Sequence, residues 1–533
     1  MPDRTGRPPL SRHSYLPWVV FLSYALLMAS WIVANPPYGG PDEWSHYLRA
    51  VGLGHGQLLG TPSGREGALA IVGPTQPPFL DAKTYQDELT WVAQNTRKVR
   101  IPAGLTPGWF RCGQQTDPAV SARCLNNAPP LEQAGEWFNP TATYQPFPYL
   151  LPAAISRVDV SPDHLGRLMR AGKALLALLL FGAAVFLLWD PEARLVSFTG
   201  LVVAVTPMAI FLSATLNPSG LEIMAAVAFN AALIRLTRNE VADRNRRWPW
   251  TVAAISGAVL ALSRTQGPVW VALSLAAVIP LGGVRTFLRM SLEHRRSSLP
   301  ASIVVLVAIV LNRVWERIYG PHLAFDPTPL VSSISQGIAQ LPAVLREQVG
   351  VFNYLEVPMP LLAYGLWGGL SVALVTVALL VGGRRERLHL LLAGAAALAL
   401  PVVLVATTMR HTGFGLQGRY VLSFSLVVPL LAGEILVRGY DRLRALDARQ
   451  VFLPFVLIAG FVQFVAWWTN ARRFAVGIRG PRWFVPSAEW SPPLGWWPWL
   501  LLAVAGVCFL VATPLLDRLL AGRAGEVADK SPA

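Results

Sequence analysis

This chain is short of charge. Only 14% of its 533 residues are Asp, Glu, Lys or Arg, against roughly a quarter in a soluble domain. That is too little to cover a water-facing surface, so an ordinary soluble enzyme and a disordered chain are both excluded. Cysteine is scarce too. Three residues cannot staple a secreted disulfide scaffold. There is no P-loop, no dinucleotide fingerprint in the right context, no His-Glu-x-x-His helix and no Cys-x-x-Cys pair. Nucleotide-driven transport by this chain alone therefore lacks its machinery. No internal repeat, heptad or low-complexity stretch is visible. Acidic residues are outnumbered, 30 against 45 Lys and Arg, for a formal charge of +15. The basic residues form short clusters between long apolar runs, not one patch. That excludes a nucleic-acid surface and indicates the cytoplasmic loops of a polytopic membrane protein.

What is abundant is apolar sequence, 53% of the chain. A spanning helix needs about 20 mostly apolar residues, and about twelve segments qualify: 15–34, 164–189, 195–216, 219–237, 249–264, 267–283, 299–318, 357–383, 388–408, 418–437, 451–468 and 496–515. The expected fold is an all-α polytopic membrane protein, one membrane domain over 1–515 with a short tail, 516–533, expected to be disordered. Arginines set the orientation. Arg4, Arg7 and Arg12 precede the first span. Alternate later loops carry Arg194; Arg235, Arg238, Arg244, Arg246 and Arg247; Arg285, Arg289, Arg295 and Arg296; Arg384, Arg385 and Arg387; Arg438, Arg442, Arg444 and Arg449; then Arg518, Arg523 and Lys530. Both termini are then cytoplasmic. Segment 143–157 is apolar but too short to cross, and counting it would put the arginines outside. It is expected to lie on the outer face.

The large first outer loop, 35–163, holds Cys112 and Cys124. Two thiols in an oxidising compartment are expected to pair. Cys508 falls in the last span, where packing is its expected role. Trp467, Trp468, Trp483, Trp490, Trp496, Trp497 and Trp499 crowd the outer ends. They read as an aromatic belt, with sugar stacking as the other reading.

Chemistry is expected at that outer face. Pro41-Asp42-Glu43 is a good helix start, with carboxylates near the positive end of the dipole. Asp42, His46 and Arg49 would then share a face: a general base, a relay or ligand, and an anion clamp. A capped interfacial helix with a solvated polar face would look the same. His164, Arg167, Arg170 and Lys173 form a slowly drifting stripe entering the second span from outside. Positive charge there opposes the usual bias, and lipid phosphate is one anion that would explain it. Snorkelling to bulk headgroups is the other. Three further turns fall on the same face. They are Asn217-Pro218 with Glu222 one turn later, Leu262-Ser263-Arg264, and Arg410-His411 followed by Gln417-Gly418-Arg419-Tyr420. Ionisable groups at membrane depth are costly and are functional candidates by default; helix capping and interface anchoring are the alternative. Chemistry on the outer face would lack soluble nucleotide-sugars, so an activated, membrane-borne donor would be its natural substrate.

Pro41-Asp42-Glu43 with His46 and Arg49, the Asn217-Pro218 turn, Leu262-Ser263-Arg264 and Gln417-Gly418-Arg419-Tyr420 resemble the bacterial membrane-protein family catalogued as domain of unknown function 2142. The resemblance runs over nearly the whole chain. Ser219 stands where that pattern usually has aspartate, and Arg264 where lysine is common. The layout also resembles the C-type glycosyltransferase superfamily. Its acidic motif follows the first span, and an aromatic Pro-rich segment, here Tyr144-Gln145-Pro146-Phe147-Pro148-Tyr149, precedes the second. The resemblance implies transfer of a sugar from a polyprenyl-phosphate donor to a cell-envelope glycan acceptor. Asp42 would act as base. Glu43 or His46 would orient the acceptor or hold a divalent cation, the cofactor being open. Arg49, Arg264 and Arg419 would hold the donor phosphate, with Arg167, Arg170, Asn217, Gln417 and Tyr420 as further binding residues. A flippase of lipid-linked saccharide, or a non-catalytic subunit of envelope polysaccharide assembly, are the competing readings.

Overall fold

The computed structural model describes residues 15–76, 82–107, 117–127, 134–238, 247–320, 327–411, 415–443 and 447–529. Of the residues singled out above, Arg4, Arg7, Arg12, Cys112, Arg244, Arg246, Arg444 and Lys530 lie outside these.

The first long helix is Leu16–Ala34. It ends because Pro36 and Pro37 cannot continue it. Its Tyr24 and Trp31 are fully buried against Phe181 and Phe211. It lies along the last helix, Trp497–Asp529. Close approach there is set by Gly506, where a Cβ would sit 2.8 Å from the Ser23 carbonyl oxygen; small residues let membrane helices pack this tightly. Helix Pro218–Thr237 is the centre of the bundle, with 94% of its apolar window buried. It packs on Pro162–Leu188 and Arg247–Ser263.

Among the described residues nine helices are long and apolar enough to cross a membrane, or up to 11 if each of two bent pairs is one span. The chain is a multi-pass membrane protein. The expected straight span 195–216 is instead bent by 69° between Arg194–Ala204 and Pro207–Ala214. Pro207 cannot continue the hydrogen-bond ladder and disfavours helix at Thr206, whose hydroxyl caps the new helix at Ala209 N. The expected 267–283 ends at Gly282 and turns by 97° into Val284–Glu293. Gly283, at φ 87°, makes that turn. The expected 249–264 is a 17-residue helix, Arg247–Ser263. The last helix continues past Leu516 to Asp529, in place of a disordered tail. Buried Asp517 anchors it by pairing with Arg194 and Arg449.

The segment expected to form the first outer loop is not helical alone, which corrects the all-α expectation. Thr61–Pro62, Arg97–Ile101 and Gly135–Asn139 form a three-stranded antiparallel sheet in that order. Val99 pairs with Trp137 and Ile101 with Gly135. Val99 and Ile101 alternate with charged residues and point inward, as a half-buried strand requires. Helix Glu43–Gly54 packs on this sheet through Gly52, where a Cβ would meet Val99 at 2.6 Å. Segment 143–157 forms a short helical turn, Phe147–Tyr149, and a six-residue helix, Leu150–Ile155. Cys124 is disulfide-bonded. Cys508 is free and faces outward, where packing was expected. Trp467, Trp490 and Trp496 are buried in one aromatic cluster with Phe484, not arrayed as a belt. Trp483 and Trp497 are exposed.

Candidate functional site

Asp42 and Glu43 are neighbours in sequence, yet their carboxylates point to different partners. Asp42 precedes helix Glu43–Gly54 in the left-handed conformation, φ 55°. Asp tolerates that region better than most residues. Its side chain is 46% exposed and receives Arg419 Nη2 on Oδ2 at 2.8 Å. Burial pushes the Asp42 carboxyl up, but the Arg419 and Arg264 guanidiniums outweigh it and hold it below the usual carboxylate range.

Glu43 is buried. Its Oε1 accepts from Arg170 Nε at 2.6 Å and Leu216 N at 2.7 Å. Its Oε2 accepts from Gly40 N at 2.9 Å and from Arg170 Nη2. Burial raises the Glu43 carboxyl, and Arg170 with the two backbone N–H groups brings it below its ordinary value. Arg170 also donates to the carbonyls of Ile32, Asn35 and Pro36. Its five N–H donors are then all in use, which leaves none to offer a ligand. Lys173 is likewise committed, to Leu212 O at 2.7 Å and Asn217 O at 2.9 Å. Asn217 caps helix Pro218–Thr237 by accepting from Ser219 N, and its amide donates to Pro41 O at 3.0 Å. Together these groups tie the exit of the first helix to the second span and to the 215–217 turn.

His46 is buried with Nδ1 2.8 Å from the Tyr149 hydroxyl. Burial, with Arg264 and Arg419 nearby, pushes its pKa down to about 3 against the pull of Asp42. The ring is neutral near pH 7. Arg49 turns away from Asp42. It donates to Leu58 O and to Tyr144 O, the latter at 2.7 Å, and lies 6.0 Å from the Tyr149 ring centre. Its Nε is buried without a partner. Arg167 makes one long bond, 3.5 Å, to Asp163 O.

The turns expected at the outer face converge only in part. Arg264 and Arg419 bracket the Tyr420 ring, at 4.9 and 5.3 Å from its centre. Such cation–π contacts contribute about 0.5–2 kcal/mol each. Arg264 also donates to Ser219 Oγ at 2.5 Å. Arg419 is 6% exposed, and its Nε and Nη1 are buried without a partner. Two unanswered donors on a buried cation are costly and suit an anion. Asp42, Arg264, Arg419 and Tyr420 thus share one cluster, while Arg49, Arg170 and Asn217 brace its surroundings. Gln417 precedes helix Gly418–Ser425 and lines a small cavity with Arg419, Glu347 and Asn353.

Tyr144 and Tyr149, the two ends of the aromatic Pro-rich segment, lie beside His46, with ring centres 6.1 and 5.8 Å away. Other contributors were not singled out by motif. Glu347 Oε2 accepts from Gly418 N at 2.6 Å and so positions Arg419. Gly418 is required there, because a Cβ would lie 2.5 Å from Val344 O. The turn carrying Asn353 and Leu355, at φ 58° and 63°, lies beside Arg419 and Pro41. A leucine in that region is a strained residue. Its hydrophobic turn sequence carried no signal. Among the described residues no group of three or more His, Cys, Asp or Glu side chains is placed to hold a metal ion.

No curated protein matches this chain. Among solved structures, the crystal structure of ArnT from Cupriavidus metallidurans bound to undecaprenyl phosphate is 14% identical, with a TM-score of 0.39, covering 97% of this chain and 80% of that one. The family model described as predicted membrane protein DUF2142 matches residues 25–428, and the chain belongs to that family.

Proposed function

We propose that this protein is a membrane glycosyltransferase. It moves a sugar from a polyprenyl-phosphate donor to a hydroxyl of a cell-envelope acceptor at the extracytoplasmic face. The observation that supports it most is the cluster itself: an accessible carboxylate, Asp42, beside a buried guanidinium, Arg419, that has two donors unanswered. A base in contact with a guanidinium that has donors to spare is what phosphate-leaving group transfer needs. The sequence resemblance to C-type glycosyltransferases supports the lipid-linked donor.

In this reading the acceptor hydroxyl attacks the anomeric carbon and gives its proton to Asp42. The bond from that carbon to the phosphate oxygen breaks, and its electron pair leaves with the phosphate. Arg264 and Arg419 stabilise the charge gathered there, and their planar guanidiniums suit phosphate oxygens. Neutral His46, held by Tyr149, orients the acceptor. Glu43, Arg170, Lys173 and Asn217 keep Asp42 in place and do not touch substrate. If a divalent cation takes part, Asp42 and His46 are the residues that would hold it.

The test is transfer by the purified protein from a panel of polyprenyl-phosphate sugars. Transfer lost in Asp42→Asn, with lipid binding kept, supports the reading. Lipid binding with no transfer from any donor would favour a non-catalytic subunit instead.

A further inference from the structure

A cavity of about 120 Å³ opens beside Arg264, lined by Trp91, Asn95, Tyr144, Gln145, Arg264 and Glu316 among others. Its wall joins two parts of the chain distant in sequence. Trp91 and Asn95 come from helix Ala82–Asn95 of the first outer loop, and Glu316 from the last turns of the apolar helix Arg295–Tyr319.

The wall is braced. Asn312 donates to Ala261 O at 2.7 Å and to Arg264 O at 2.9 Å. Arg313 donates to Thr265 O, and Trp315 donates to Thr143 O at 2.9 Å. These bonds pin the turn carrying Arg264 against the strand of chain carrying Tyr144. Glu316 is oriented as well. Its Oε1 accepts from Thr265 Oγ1 at 3.0 Å and from Gln145 Nε2 at 3.3 Å. Its Oε2 accepts nothing from the described residues, so it presents open lone pairs.

We infer that this cavity is a sugar subsite, taking the hydroxyl-rich ring of the glycolipid phosphate whose phosphate lies at Arg264 and Arg419. It rests on the proposed function for which end of the ligand is the phosphate. Three features identify the ligand class. Indole and phenol rings offer flat apolar surface to the C–H face of a pyranose. A fixed carboxylate accepts from ring hydroxyls, and charged acceptors make the stronger hydrogen bonds. Amide groups on Asn95 and Gln145 both donate and accept, as hydroxyls do. Arg264 lines the cavity and belongs to the charged cluster, so a sugar one bond from a phosphate spans both.

The experiment uses the full-length protein in nanodiscs and two sets of probes. The first is a panel of water-soluble methyl glycosides, followed by saturation-transfer NMR. At least one is expected to give a signal that falls several-fold in Glu316→Gln and in Thr265→Ala and is unchanged in Arg385→Ala. Absence of a Glu316-dependent signal from every glycoside overturns the subsite. The second is polyprenyl phosphate with and without a sugar. The sugar-bearing lipid is expected to bind at least tenfold more tightly, and Glu316→Gln is expected to remove that advantage while sparing the bare lipid. Equal weakening of both lipids would mean Glu316 only holds the fold, and also overturns the inference. Failure of both lipids to bind, with glycoside binding intact, leaves the subsite standing and removes the phosphate reading.

Discussion

Arg419 reaches Asp42 across 377 positions of sequence, Nη2 to Oδ2 at 2.8 Å, and still has Nε and Nη1 without partners. The ion pair does two things at once. It keeps the carboxylate ionised below the ordinary range, and it leaves Arg419 with two nitrogens free to bind an anion. Arrival of a phosphate would draw charge from Arg419 and make Asp42 a better base.

Asp42→Asn is expected to lower transfer by ~10²–10⁴-fold, the usual scale for a positioned general base. The side chain is 46% exposed, so the melting temperature should hardly move. A well-folded variant with full turnover would rule out the base role. Turnover and thermal unfolding of the purified protein are the two measurements.

Arg419→Ala is expected to weaken binding of polyprenyl phosphate by about ten- to hundredfold, since hydrogen bonds to charged groups are worth about 1.5–3 kcal/mol. Arg419→Lys should recover only part of this, because an ammonium cannot present two coplanar donors. Lipid titration by native mass spectrometry reads both. Unaltered affinity in the alanine variant would place the phosphate elsewhere.

Glu43 and Arg170 are expected to matter for folding. Breaking a buried pair from one side costs about 3–5 kcal/mol. Glu43→Gln and Arg170→Ala should therefore lower the melting temperature sharply and reduce the yield of folded protein. The apolar double substitution Glu43→Leu with Arg170→Met should be better tolerated than either single change. An inactive Glu43→Gln protein with unchanged melting temperature would instead argue for a chemical role.

His46 gives a pH signature. Its folded pKa, pushed down to about 3 by burial, lies below the ordinary histidine value near 6.5. The unfolded chain then takes up a proton between those values that the folded chain does not. This contribution to stability is present above about pH 6.5 and is lost as pH falls toward 3. His46→Gln should flatten the fall in melting temperature between pH 7 and pH 5. An identical slope in both proteins would show that His46 takes up its proton in the fold as readily as in the unfolded chain.

Sequence reasoning recovered the long helices wherever an apolar run was uninterrupted, because a bilayer core demands about 20 such residues in a row. It misjudged 195–216, which Pro207 bends in its middle, and did not foresee that the chain turns by 97° at Gly283, where the expected segment 267–283 ends. It missed the strands Arg97–Ile101 and Gly135–Asn139, which are too short to stand out among helices. Composition also marked a membrane protein, and the turns at Asn217, Arg264 and Arg419 marked the end where polar groups gather. What composition and spacing could not decide was which of those groups meet. Spacing relates residues along one element only, while Asp42 with Arg419 and Glu43 with Arg170 join different helices. The left-handed turn at Asp42 sends two adjacent carboxylates to opposite partners. One is enclosed by four donors and braces the fold; the other stays open beside an unsatisfied guanidinium, and only packing in three dimensions makes that difference.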